Sequence, residues 1–248
     1  IAGIILLLVL IVLGVPIAFS MAFTGTVGLW LVEGPAQALA HAALIPWEHG
    51  RDFIFVTVPL FVLMGQLFYH AGLASDLYEG LSKWVSRVPG GLAIASVLAC
   101  GGFGAVTGSS IATVATMGTI VMPEMRRYQY DSRLATGALA ASGTLGILIP
   151  PSLIFIFYGV MTETSIGALF IAGIVPGVIT AAMFSLIILL RCIVTPSLGP
   201  KGLRATWGER IVAIQKLGPV TGLFIVIVGG IYLGVFTPTE AAGIGCVG

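Results

Sequence analysis

The sequence predicts an all-α polytopic membrane protein, and three observations carry that prediction. Of the 248 residues, 58% are apolar and only 8% are charged, and the mean hydropathy is +1.10. A soluble domain carries roughly 25% charged residues, because its surface faces water. The apolar residues also run in blocks of about 20, the length of helix that crosses a hydrocarbon core roughly 30 Å thick. Ordinary soluble enzymes, nucleic-acid binders and disordered chains are therefore excluded.

Each candidate crossing is an apolar run interrupted by glycine, proline or charge. The first two runs are separated only by Gly14 to Pro16, so they are either two helices or one long kinked helix. We expect crossings at 1–13, 15–32, 53–72, about 133–160 (split), 165–190, 217–235, and an incomplete one from 238. Because both ends lie inside apolar runs, we expect a fragment that begins and ends within transmembrane helices.

Two connecting segments have apolar residues at helical spacing with charged residues between them. These are 73–88, where Glu79 precedes Lys83 by four residues, and 204–217. Such spacing is typical of amphipathic helices. We expect both to lie flat at the membrane interface.

The positions of lysine and arginine predict the orientation, because short cytoplasmic loops carry an excess of both. We take the segments 73–87, 126–133 and 191–216 as cytoplasmic, and 33–52, 161–164 and 236–240 as external. The cytoplasmic side then holds Lys83, Arg87, Arg126, Arg127, Arg133, Arg191, Lys201, Arg204, Arg210 and Lys216. The external side holds only Arg51, so the asymmetry is strong.

Residues 88–125 are predicted to form a helical hairpin. The segment starts after Arg87 and ends before Arg126, so both ends lie on the same side, and two full crossings need about 40 residues plus a turn. Its middle, Gly101–Ser110, is rich in glycine and hydroxyl groups. A hairpin that enters from the cytoplasm and turns back within the membrane fits best. Two short complete crossings with an external turn remain the alternative.

A second interruption follows in the split crossing. A small-residue helical pattern from Leu134 to Ser142 gives way to Gly143–Ser152, which contains Pro150 and Pro151. Consecutive prolines remove two backbone donors and disfavour helix at the preceding residue. We expect the helix to unwind near the middle of the membrane and to restart at about Pro151.

Interrupted helices at the membrane midplane are a recurrent device of secondary transporters. The two breaks supply hydroxyls and carbonyls from Thr107, Gly108, Ser109, Ser110, Ser142, Gly143, Thr144 and Gly146. No Asp, Glu, His, Lys or Arg lies in 88–123 or 134–162. A proton carrier generally needs an ionisable group there, whereas neutral oxygens suit a hard cation. Sodium is therefore favoured, although each hydroxyl could instead only bond between helices.

Other motifs point away from enzymes. The sequence has no HExxH, Walker or GxSxG pattern, so we expect no catalytic residue, no metal other than sodium, and no cofactor beyond that coupling ion. Glu240 is expected to cap the helix that follows, with Thr237 or Thr239 as its N-cap.

Several motifs resemble the large membrane (permease) subunit of TRAP transporters, the tripartite ATP-independent periplasmic, DctM-like family. The similarity covers essentially the whole chain, and the motifs stand in the family's order and spacing. They are Gly102–Thr113 through Met122–Met125, Ile149–Ser152 with Tyr158-Gly159, Phe170–Gly177, and Gly234–Ala242.

The resemblance implies a bacterial inner-membrane importer of organic acids, such as C4-dicarboxylates or sialic acid, driven by sodium. It implies two inverted repeats that work as an elevator, a periplasmic binding protein and a small four-helix membrane subunit. Residues 1–200 would form the first repeat, 201–216 a cytoplasmic linker and 217–248 the start of a second repeat. The second hairpin and second broken helix are missing, because members of this family continue well beyond this length.

The resemblance also assigns roles to residues at the two breaks. Sodium would bind between Thr107, Ser109 and Ser110 of the hairpin and Gly143, Thr144, Gly146 and Pro150 of the facing loop. Substrate would meet Ser109, Ser110, Pro151 and Ser152. A passive channel with a re-entrant loop and a structural membrane scaffold are the alternative functions.

Overall fold

The computed structural model describes residues 2–51, 53–200, 202 and 205–247, and all regular elements among them are helices. The all-α prediction is confirmed for this part of the chain. Lys201 and Arg204, two of the expected cytoplasmic basic residues, lie outside the described residues. The chain divides into two compact units, Ile1–Phe55 and Val56–Gly248.

The first unit contains α1 (Ala2–Val12), α2 (Ile17–Glu33) and α3 (Pro35–Gly50). Gly14 has a positive φ of 84°, a conformation that glycine adopts without steric penalty. The chain folds back there, since a methyl group added at Gly3 would lie 3.7 Å from the side chain of Thr24. The alternative of one long kinked helix is therefore wrong. With 11 residues, α1 is also shorter than the roughly 20 that a crossing needs.

Both predicted interruptions lie in the second unit, which contains the remaining α-helices. These helices are α4 (Thr57–His70), α5 (Leu73–Val85), α6 (Gly91–Thr107), α7 (Ser110–Arg127), α8 (Ser132–Gly143), α9 (Leu145–Leu148), α10 (Leu153–Met161), α11 (Ile166–Val194), α12 (Trp207–Tyr232) and α13 (Pro238–Val247). The helix α6 is buried along nearly its whole length, so the other helices pack around it.

Within the described residues, three helical segments are long and apolar enough to cross a membrane. They are Phe53–His70, Ile166–Val194 and Trp207–Tyr232. The bent pair Ser132–Leu148 and Leu153–Met161 adds a fourth if it forms one span, and α1, α2 and α6 are apolar but shorter. Together with the composition, these segments identify a polytopic membrane protein.

The expected separate helix at 204–217 is wrong, because from Trp207 onward that segment belongs to α12, which continues unbroken through Pro219 to Tyr232. Thr206 starts the helix with a capping box, in which its hydroxyl accepts a hydrogen bond from Glu209 N and its own N–H donates to the Glu209 carboxylate. The first turns of α12 then pack on α5, where a methyl group added at Gly80 would lie 2.9 Å from the side chain of Leu217. The two amphipathic faces cover one another instead of lying separately on lipid.

Two ion pairs join the polar sides of these helices. Lys216 Nζ lies 2.7 Å from Glu79 Oε2 and 3.1 Å from Asp76 Oδ1. Glu79 thus pairs with Lys216 across the helix contact and not with Lys83, four residues along its own helix. The side chain of Lys216 is 36% exposed, so these pairs are well screened by solvent.

Replacing Lys216 with glutamine should therefore have a small effect. We expect a loss of about 0.2–1 kcal/mol for each ion pair, shrinking as salt screens the charges. Thermal unfolding of the complete permease in low and high salt measures this effect. Lys83→Gln removes a charge from α5 without breaking either pair, and an equal loss in that variant would contradict the assignment.

Hydrogen bonds gather the expected cytoplasmic segments at one end of the second unit. Gly90 N donates to Gly199 O at 3.0 Å, Asp131 N donates to Leu198 O at 3.0 Å, and the Tyr130 hydroxyl donates to Pro200 O at 2.9 Å. These bonds bring three loops together that the charge distribution assigned to one side.

The turn before α13 has the predicted cap. Thr237 Oγ1 accepts a hydrogen bond from Glu240 N at 3.3 Å, and Glu240 Oε2 accepts one from Thr237 N at 2.8 Å. This confirms Thr237 as the N-cap, while the hydroxyl of Thr239 lies 2.5 Å from that of Thr57 at the start of α4.

A single guanidinium lies against two tryptophans where α5 and α12 meet. The Arg210 side-chain carbon Cζ lies 5.7 Å from the ring centroid of Trp84 and 5.2 Å from that of Trp207. Both distances are in the range of cation–π contacts. Arg210 is only 8% exposed, so its guanidinium is largely buried, whereas Trp84 is 41% and Trp207 67% exposed.

Candidate ion-binding site

A turn joins α6 and α7 within the predicted hairpin segment, and it is tighter than the sequence predicted. Gly101–Thr107 is the last part of α6, and only Gly108 and Ser109 are non-helical. Gly108 has a φ of +62°, which suits glycine at a helix end, and its N–H donates to Gly104 O at 2.7 Å. Ser109 is extended and its Oγ accepts from Ala112 N, capping α7. The glycines expected in the turn instead permit close packing along α6.

The tip of the hairpin lies beside the interior of a candidate span. A methyl group added at Gly65 of α4 would lie 2.8 Å from Thr107 Cγ2 and 3.4 Å from Thr107 Cα. Gly65 lies inside the Phe53–His70 span, several residues from either end. The chain therefore reverses part of the way along α4.

The second interruption is a short loop between α9 and α10. Ile149 is extended, as expected before proline, and the Pro150–Pro151 peptide bond is cis. The fully buried Ser152 donates its hydroxyl hydrogen to Ile147 O at 2.7 Å and thereby closes the loop. The helix restarts at Leu153, two residues later than predicted, because Ser152 is still extended and serves as the N-cap residue.

Two glycines bring α6 and α9 into contact just before the two breaks. A methyl group added at Gly104 of α6 would lie 2.4 Å from Gly146 Cα and 2.9 Å from Gly146 N. No side chain fits between two backbones at that separation. On the other side of the turn, Leu153 N donates to Gly108 O at 3.4 Å. The hairpin tip and the loop of the broken helix therefore form one continuous structure.

Four uncharged oxygens converge at this contact. Thr113 Oγ1 donates to Ser109 O at 2.7 Å and lies 3.1 Å from Thr107 Oγ1, which in turn lies 3.5 Å from Gly104 O. A methyl group added at Gly146 would lie 2.9 Å from Thr113 Oγ1 and 3.1 Å from Ser109 O. Thr113 is completely buried and Thr107 is 5% exposed. The cluster offers hard oxygen ligands and no charge.

The structure brings together some of the sodium residues named from the sequence and leaves others apart. Thr107 and Ser109 supply oxygens to the cluster, and Gly146 packs against it. Ser110 is half-buried, and its carbonyl oxygen would lie 3.4 Å from a methyl group added at Gly143. Thr144 is exposed and donates to Ala141 O, one turn back on its own helix.

The substrate residues are divided in the same way. Pro151 and Ser152 are buried, as is the expected sodium residue Pro150, and the Ser152 hydroxyl already bonds within the loop. Ser109 and Ser110 are the half-buried ones. They are thus the two of the four expected substrate residues that solvent reaches.

Thr113 is the member of the cluster that sequence reasoning missed. It lies one helical turn after the cap residue Ser109, so its side chain points back at the hairpin tip. Hydroxyl residues at a cap and four positions later were the available signal. Val114 beside it packs on Gly143 instead.

Apolar helices with two mid-span breaks in contact are the arrangement found in secondary transporters of the membrane. Residues 4–248 match the family model of the "Tripartite ATP-independent periplasmic transporter, DctM component". The chain belongs to this family, as its motifs indicated.

Named relatives agree with that assignment. The C4-dicarboxylate TRAP transporter large permease protein DctM of Pseudomonas aeruginosa is 38% identical over 92% of this chain and 52% of its own length. The ectoine permease TeaC of Halomonas elongata is 33% identical, covering 94% and 54%. The sialic acid permease SiaM of Vibrio cholerae is 31% identical, covering 93% and 53%. The chain thus spans about half the length of these relatives, which are permeases and not enzymes.

Proposed function

We propose that this chain forms part of the large permease of a sodium-coupled importer of organic acids. Membership of the DctM family supports the transport role. The buried, uncharged oxygen cluster at the two breaks is the observation that supports sodium. The permease would lie in the inner membrane and take substrate from a periplasmic binding protein, with a small four-helix membrane subunit beside it.

The chemistry of the cluster supports the proposed sodium coupling. The carbonyl oxygens of Gly104 and Ser109 and the hydroxyls of Thr107 and Thr113 lie between 2.7 and 3.5 Å from their nearest neighbours. Hard cations take ligands of this kind, and a neutral site binds a cation without a titrating group. The Gly143–Pro150 loop would complete the site from the other side, with Thr144 and Pro150 contributing after local rearrangement.

The proposal also includes the arrangement of the hairpin in the membrane and the division of the chain into repeats. The hairpin is re-entrant, supported by the contact of Thr107 with the interior of α4. Residues 1–200 form the first of two inverted repeats that move as an elevator, 201–216 link the repeats, and 217–248 begin the second. Because α12 begins at Trp207, residues 207–216 of that linker are helical and continue directly into the segment that begins the second repeat.

Substrate would bind beside the ion, at the half-buried side of the hairpin tip. Ser109 and Ser110 can donate hydroxyl hydrogens to a carboxylate there. The relatives are named for C4-dicarboxylate, ectoine and sialic acid, and each of these compounds carries a carboxylate. An organic acid is the substrate class that these names share.

Uptake into vesicles tests the proposal. The complete permease, rebuilt with its small subunit and binding protein, should accumulate substrate only under an inward sodium gradient, and uptake should saturate. Equal uptake with potassium in place of sodium would refute sodium coupling. Uptake that never saturates and needs no binding protein would indicate a channel.

A binding measurement supplies an independent test. An ion that binds only the folded state must raise the free energy of unfolding by RT ln(1 + [L]/Kd), where [L] is the free ion concentration. Sodium should therefore raise the unfolding temperature of the purified permease, while choline at equal ionic strength should not. A flat sodium titration would favour a structural scaffold.

A further inference from the structure

A groove of about 390 Å³ runs between α8 and α11, away from the two breaks. Its lining is mostly apolar, with charged residues at one end. Arg133 and Arg191 lie at that end, and Gly137, Ala141, Phe184 and Ile187 line the apolar part. The hydrogen bond from Asp131 N to Leu198 O fixes the charged end.

The groove exists because the two helices offer side chains of different size. Beyond Leu134, the α8 wall consists of small residues at helical spacing, Gly137, Ala138 and Ala141, whereas α11 presents larger apolar residues such as Phe184 and Ile187. A methyl group added at Gly137 would meet nothing within 4 Å. The furrow is thus open and apolar along its length, which suits a hydrocarbon chain.

The charged end lies where two spans reach the membrane boundary. Arg133 stands at the start of the Ser132–Leu148 segment, and Arg191 stands near the end of the Ile166–Val194 span. Both are exposed, and within the described ranges neither guanidinium forms an ion pair. The neighbouring Asp131 carboxylate already accepts hydrogen bonds from Arg133 N at 2.9 Å and Leu134 N at 3.2 Å.

We propose that this groove binds an anionic phospholipid. Its phosphate would pair with the guanidinium groups of Arg133 and Arg191, and one acyl chain would lie along Gly137 and Ala141. Basic pockets between transmembrane helices recognise anionic headgroups in this way, and guanidinium–phosphate bonds are charge-assisted. The apolar furrow leading away from the arginines distinguishes a lipid from free phosphate as the ligand.

Native mass spectrometry of the complete permease tests the charged end. After delipidation, the protein should retain phosphatidylglycerol at least tenfold better than phosphatidylcholine. The variant Arg133→Gln/Arg191→Gln should retain the two lipids equally. The matched control Arg126→Gln/Arg127→Gln removes the same charge from exposed residues at the end of α7 and should keep the preference. No preference in the wild type, or its loss in the control as well, would overturn the proposal.

A second variant tests the furrow without changing any charge. Gly137→Leu places an apolar side chain in the open space and should lower the retention of phosphatidylglycerol at least tenfold. An unchanged unfolding temperature would show that this variant is folded. Retained phosphatidylglycerol in this variant would overturn acyl-chain binding. Soluble glycerol phosphate at the same concentration should not displace the lipid, and displacement would show a phosphate site instead.

Discussion

Replacing Gly104 with alanine is expected to abolish transport and to destabilise the permease by about 1–3 kcal/mol, the usual cost of overpacking a well-packed core. The added methyl group would lie 2.4 Å from Gly146 Cα. A backbone atom cannot rotate away as a flexible side chain can, so the hairpin and the broken helix must move apart. Uptake in vesicles and the unfolding temperature measure the two effects.

Alanine substitutions at two further glycines provide comparisons for Gly104→Ala. Alanine at Gly146 would lie 2.9 Å from Thr113 Oγ1, 3.1 Å from Ser109 O and 3.2 Å from Gly104 Cα, a milder overlap than the one at Gly104, so its effect on stability should be smaller. Alanine at Gly222 of α12 meets nothing within 4 Å, and this control should behave like the wild type. If Gly104→Ala transports as well as Gly222→Ala, the two breaks do not touch as described.

Replacing Thr113 with valine should raise the sodium concentration for half-maximal uptake by about tenfold. The substitution keeps the shape of the side chain but removes the hydroxyl between Ser109 O and Thr107 Oγ1. Losing one oxygen that faces a cation costs about 1.5–3 kcal/mol when the bond involves a charge, and 1.4 kcal/mol already changes an affinity tenfold. The sodium dependence of uptake measures the shift.

Thr119→Val is the matched control for this prediction. Thr119 lies on the same helix, is exposed, and donates its hydroxyl only to Thr116 O on that helix. Its removal should leave the sodium dependence unchanged, whereas Thr113→Ser should restore it. A Thr113→Val permease whose unfolding temperature still rises normally with sodium would remove this cluster from the ion site.

Turns, loops and helix caps could be predicted from the sequence because they depend on neighbouring residues. Gly108 and Ser109 mark the hairpin turn, Pro150 and Pro151 mark the loop, and Thr237 marks the cap, each for a stereochemical reason that acts within a few residues. The glycine-rich run Gly101–Thr107 misled the placement of the turn. Glycine also serves close helix contacts, and only the facing backbone of Gly146 shows which role applies.

Tertiary partners were less predictable. The amphipathic pattern of 204–217 indicated an apolar face, but such a face can lie on lipid or on another helix. In the structure it packs on α5, and Glu79 pairs with Lys216 on α12 instead of with Lys83. Thr113 was missed for the same reason, since its role depends on the chain folding back at Gly108.

The stacking of Arg210 between α5 and α12 has an optical consequence. The sequence has four tryptophans; Trp30 and Trp47 lie in the first unit, and both of those in the second unit flank this one guanidinium. Tryptophan fluorescence from the second unit therefore originates at a single contact. In a complete permease whose other tryptophans, Trp30 and Trp47 among them, are all replaced by phenylalanine, the emission maximum becomes a built-in indicator of whether α5 and α12 stay together while the permease works.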